Sequence, residues 1–157
     1  MGLGKEIGGE AAASVVLGRK SEGALCKLSG FRMLYNPSMD ELSAAVATLL
    51  QSAEKSLVDI DFILTGINGY EKNDEAYLSE TKTLFGNKAL LKYKHLFGES
   101  FTASGIGLYV AAQCLKAGRV PASLFVKPSE ISDKQPKCIL LYNHSDGRNF
   151  SFTLLEA

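Results

Sequence analysis

Apolar residues recur along this chain at two spacings, and the switches between them mark out the elements. Leu42, Ala45, Val46, Leu49, Leu50 and Ala53 return every three or four positions, which lays one apolar stripe along a helix. Ser38 opens that run and Glu41 follows three residues on, a pair able to satisfy each other's free amides at a helix start. Between Ala24 and Tyr35 the pattern partly alternates, with Cys26 and Leu28 on one face and Lys27 and Ser29 on the other, as in a strand. Ala12–Arg19, small and β-branched, reads as a buried strand, and Gly23 between the two runs predicts an antiparallel hairpin. Val58–Gly69 has an apolar centre flanked by acids and glycines and reads as an interior strand ending in a loop. A short helix is expected from Asn73 and Asp74 to Gly86, then a strand over "ALLKYKH". A second amphipathic run, Ala103 to Lys116, is closed by Gly118 and Pro121. The apolar runs "KCILLYN" and "NFSFTLLEA" flank "HSDGR", where Asp146-Gly147 predicts the turn of a terminal hairpin. The order is β-β-α-β-α-β-α-β-β, an α/β fold with a mixed sheet covered by helices. No repeat or linker interrupts it, so residues 1–157 are expected to form a single domain.

Charge and composition narrow the function. A chain of 157 residues can bury a core without staples. Seventeen basic residues balance seventeen acidic ones, and no basic run stands out, so nothing favours nucleic acid or an anionic membrane as partner. No apolar run approaches the ~20 residues of a membrane helix, and "MGLGKEIGGE" lacks the apolar centre of a signal peptide, so the expected location is cytoplasmic. Cys26, Cys114 and Cys138 are odd in number, far apart and set in apolar segments, which suits buried thiols in a reducing compartment. His95 and His144 make no ligand pattern with them, so neither a metal nor a cofactor is expected. The "ASGIG" run lacks both the P-loop lysine and the dinucleotide fingerprint; its small residues suit close helix packing.

Three charged residues stand out. Glu10 sits among small residues in "GGEAAA" and is expected to be buried, which demands a partner. Lys94 could hold a neighbouring loop or a substrate carboxylate, or be one solvated cation beside Lys88 and Lys92. Glu99 precedes a helix whose positive end would favour an anion.

Four segments, taken together, resemble the C-terminal half of a β-ketoacyl synthase of the thiolase-like superfamily. "GGEAAASVVLGRKSEG" is similar to the family's Gly-Glu-Gly-Ala stretch and the strand it enters. "DIDFILTGINGYEKND" resembles its strand and loop ending near Asn-Asp. "LKYKHLFGESFTASGIGLYVAAQCLKAGRVP" resembles its Lys-x-x-x-Gly-His loop and Ala-rich helix, and "CILLYNHSDGRNFSFTLLE" its closing glycine-rich hairpin. The resemblance implies a thiolase-like C-terminal domain on a mixed, five-stranded type of sheet. It also implies decarboxylative carbon–carbon bond formation, in which an upstream cysteine carries the acyl group and two histidines support the enolate and its oxyanion.

Where those groups should stand, this sequence departs. The loop lysine and glycine match Lys94 and Gly98, but Glu99 stands at the histidine, and Thr65 is matched to the other histidine. An ionised glutamate accepts hydrogen bonds and repels an enolate, and a hydroxyl is a poor proton shuttle. The gate-like hairpin is represented by Asn143, Asp146 and Gly147, and analogy pairs Glu10 with Lys94. The nucleophilic cysteine would lie upstream of Met1. The resemblance therefore implies a non-catalytic, chain-length-factor-like accessory subunit that pairs with an active ketosynthase, with acyl carrier protein an indirect partner. The alternatives are one half of a split synthase, active once its N-terminal half is supplied, and a free-standing binding module. Apolar surface left open by the missing half predicts a homo-oligomer when the chain is alone.

Overall fold

The computed structural model describes residues 8–145 and 147–157. A mixed sheet of five strands forms its centre, in the order β1-β5-β4-β2-β3. Along the chain the elements are β1 (Lys27–Tyr35), α1 (Met39–Ser52), β2 (Phe62–Thr65), α2 (Glu71–Phe85) and β3 (Leu90–Lys92). They continue with α3 (Lys94–Phe97), α4 (Ala103–Ala117), β4 (Cys138–Ser145) and β5 (Asn149–Glu156). β2 runs parallel to both β3 and β4, whereas β5 is antiparallel to β4 and to β1. Four strands thus point one way and β5 the other.

Alternation in the strands divides the core in two. Ile63, Leu140, Tyr142, Phe152 and Leu154 face one side, where Leu42, Val46 and Leu49 of α1 and Tyr77 and Leu84 of α2 cover them. Phe62, Leu64, Leu91, Ile139 and Leu141 face the other, under Ile106, Val110, Ala111 and Leu115 of α4. The expected capping box starts α1: Ser38 N–H donates to Glu41 Oε2 at 2.7 Å, and Glu41 N–H returns to Ser38 Oγ at 3.3 Å. α4 ends at Gly118, in the left-handed region as its position after the last turn predicts. The terminal hairpin forms with Ser145 opposite Asn149; Gly147 takes φ +61, and Asp146 lies outside the described residues.

The expected first strand does not form. Residues 12–19 make no sheet pairing, and Val15, Val16 and Leu17 are exposed. The predicted hairpin with residues 24–35 is therefore absent, and the order is β-α-β-α-β-α-α-β-β. The physical reason lies just upstream. Gly9 N–H donates to Glu99 O at 2.9 Å and Ala11 O accepts from Thr102 Oγ1, so the segment is moored at the start of α4 rather than along β1. β1 pairs with β5 instead, and its other edge is open among the described residues. The expected strand over residues 89–95 also shortens, because the chain turns into α3 at Lys94.

Candidate functional site

The loops after β2 and β3 and the start of α4 meet at one end of the sheet. β3 delivers Tyr93 and Lys94 to that point, and α3 is a single turn that stops at Gly98 with φ +77. Gly98 and Gly9 touch backbone to backbone: a Cβ on Gly9 would lie 1.9 Å from Phe97 O, and one on Gly98 2.8 Å from Gly9 Cα. Two glycines are needed for that approach. It turns the chain so that Glu99 faces back toward Lys94.

Lys94 Nζ lies 2.9 Å from Glu99 Oε1 and 2.7 Å from Oε2, and its side chain is only 7% exposed. Asn68, from the β2–α2 loop, donates Nδ2–H to Glu99 Oε2 at 2.9 Å. Asp74 fixes that loop by accepting from Asn68 N–H and Gly69 N–H at 3.0 Å each. Both carboxylate oxygens of Glu99 are thus occupied. The expected partnership of Glu10 with Lys94 is corrected: Glu10 is exposed, and the ammonium is held by Glu99. Glu99 is nearer along the chain and is aimed by the Gly98 turn, whereas Glu10 lies beyond the mooring at Gly9.

Thr65 is fully buried, but its Oγ1 donates to Leu91 O at 2.8 Å in the neighbouring strand. It ties β2 to β3 and does not face Glu99. The next residue, Gly66, borders the polar centre: a Cβ there would lie 2.2 Å from Tyr77 Oη and 2.8 Å from Asn143 Oδ1. Asn143, brought by β4, accepts from Tyr93 Oη at 2.9 Å, while its Nδ2 is buried without a partner. Burial pushes the Tyr77 and Tyr93 phenols up, so both are neutral donors at ordinary pH.

Beside this centre is a hollow of about 800 Å³. Its polar end has Lys94, Glu99, Asn143 and Ser104, and its apolar wall includes Phe31, Met33, Phe101 and Leu108. No cysteine lines it, and His144 is its one imidazole. That ring is stacked on Tyr77 with centroids 3.9 Å apart, and its Nε2 lies 3.6 Å from Glu80 Oε2, among the α2 side chains. Cys114 and Cys138 are buried, and burial pushes each thiol up to about 11. Among the described residues no group of three or more His, Cys, Asp or Glu side chains is placed to hold a metal, and no helix is long and apolar enough to cross a membrane.

The sequence reading named Lys94, Glu99 and Asn143, which the structure brings together, and Glu10 and Thr65, which it does not. That reading missed Asn68 and Tyr93. Strand alternation would have found Tyr93, two residues after buried Leu91 on the α4 side; nothing local marks Asn68, which arrives through a turn.

No protein-family model matches the sequence, and no curated protein sequence does. Solved structures do. "The ishigamide ketosynthase/chain length factor" superimposes with a TM-score of 0.68 at 15% identity, over 85% of this chain and 38% of that one. A type II PKS acyl-carrier protein in complex with its ketosynthase bound to the hexaketide gives 0.67 at 14% identity, over 85% and 38%. A β-ketoacyl synthase from Burkholderia phymatum STM815 gives 0.66 at 12% identity, over 84% and 37%. The chain therefore shares the fold of the matched part of these ketosynthase structures, and it spans less than half the length of each of the three.

Proposed function

We propose that this chain is the C-terminal part of a ketosynthase-like assembly of polyketide or fatty-acid type and works there without chemistry of its own. Its role is that of a chain-length-factor-like accessory, pairing with a catalytically complete ketosynthase in the cytoplasm and meeting acyl carrier protein only through it. One observation carries this reading: Glu99, at the position that resembles a catalytic histidine, is closed by Lys94 and Asn68. A carboxylate so held accepts hydrogen bonds and has none to offer a developing oxyanion. The other imidazole position is better assigned to Gly66 than to Thr65, because Gly66 borders the polar centre while the Thr65 hydroxyl is spent on Leu91 O. Neither residue can shuttle a proton.

The test is co-expression with the ketosynthase and acyl carrier protein encoded nearest to this chain. Stable co-purification, with malonyl decarboxylation unchanged by Glu99→Gln, is the expected result. Decarboxylation that disappears in Glu99→Gln would overturn the reading and favour half of a split synthase.

A further inference from the structure

A β-forming run without a sheet and a sheet edge without a strand occur in the same chain. Ala12–Arg19 has the small and β-branched composition of a strand, yet it makes no pairing, and Val15, Val16 and Leu17 are 54%, 100% and 73% exposed. β1, nine residues long, pairs with β5 on one side only among the described residues. Phe31, Met33 and Tyr35, at alternate positions along β1, are exposed as well, the first two where they border the hollow. Eight extended residues span about 26 Å, close to the length of β1.

Within one chain the two cannot meet as the structure stands. Residues 9–11 are moored to Glu99 and Thr102, Ala13 lies against Gly105 at the start of α4, and the return to β1 goes through a turn closed by Ala24 N–H to Ser21 O. From these we infer that two copies of this chain associate by strand exchange, residues 12–19 of each adding to the free edge of β1 in the other. The occupant is a second copy because the chain itself carries both halves of the contact. A twofold axis satisfies both at once and closes the assembly. Seventeen basic and seventeen acidic residues leave no net charge to hold the copies apart. The pairing is the hairpin that the sequence predicts, made between molecules instead of within one. It also removes from water part of the apolar surface that the segment and β1 now expose.

The inference is independent of the accessory-subunit reading, which fails in a decarboxylation assay, whereas this one fails in light scattering. The full chain is examined by light scattering across the micromolar range, together with amide hydrogen exchange. The expected result is a dimer of twice 16.9 kDa, with amides 14–18 protected. Val16→Lys should weaken the dimer by about tenfold or more and expose those amides. Val16 touches little in the single chain, so the variant should keep its far-ultraviolet circular dichroism, and loss of the dimer is then not loss of the fold. A monomer throughout that range would overturn the inference, including one that uses residues 14–18 only to bind a ketosynthase. So would a dimer that survives Val16→Lys with amides 14–18 unprotected.

Discussion

The Lys94–Glu99 pair can be dissected with a double-mutant cycle, because its two ends are buried unequally. The Lys94 side chain is 7% exposed and its charge is answered by Glu99; the Glu99 side chain is 26% exposed and also accepts from Asn68. Glu99→Leu strands an ammonium that solvent barely reaches, an effect that costs about 3–5 kcal/mol. Lys94→Met leaves a carboxylate that keeps the Asn68 amide and some water, at a cost of about 1–2 kcal/mol. The double variant removes both charges together, so it should be more stable than Glu99→Leu alone, with a coupling of about 2 kcal/mol or more. Urea unfolding measures this, provided that the slope with denaturant is unchanged among the four proteins. Two results would refute the reasoning: Lys94→Met as damaging as Glu99→Leu, or effects that add within ~0.5 kcal/mol. Either would mean that the pair is not the closed unit on which the non-catalytic reading rests.

Three other measurements follow. On α4, Gly105→Ala should stabilise by about 0.5–1 kcal/mol, since its Cβ would meet only Ala13 at 3.6 Å; Gly107→Ala should cost about 1–3 kcal/mol, since its Cβ would lie 2.8 Å from the Tyr93 ring. Thermal unfolding that ranks them the other way would contradict the packing described for α4. Maleimide at neutral pH should modify Cys26 first, since it is half-buried, whereas Cys114 and Cys138 are buried with thiols near 11; quicker labelling of either in the native protein would refute this. Burial raises the Glu80 carboxyl above its ordinary value, so the folded state binds its proton more tightly than the unfolded state and stability from this group falls as pH rises between the two values. Glu80→Gln, which can still accept from Tyr142 Oη, should therefore gain stability over the parent as pH rises from ~4 to neutral; a relative loss would mean instead that a protonated His144, 3.6 Å away, pairs with an ionised Glu80.

What was legible in the sequence was what local physics decides. The α1 stripe, the Ser38–Glu41 box, the Gly118 stop and the terminal hairpin each follow from side-chain spacing or turn chemistry within a few residues, and each stands in the structure. The helical cover of the sheet follows too, because strand–helix alternation in the middle of the chain implies a mixed sheet packed under helices. The site was legible only in part, since its geometry depends on chain reversals that no periodicity records. Glu10 looked buried because its neighbours are small. Those small residues serve a backbone contact between Gly9 and Gly98, and that contact leaves the acid outside while turning Glu99 onto Lys94. Thr65 was singled out by resemblance alone, as the residue matched to a histidine. A side chain at a strand end can point along the sheet as easily as into a cleft, and the carbonyl of Leu91 took its hydroxyl. The missing first strand is the instructive failure. Composition can announce that residues 12–19 will form a strand, but a strand exists only by pairing, and the identity of its partner is a long-range fact that the run itself does not carry.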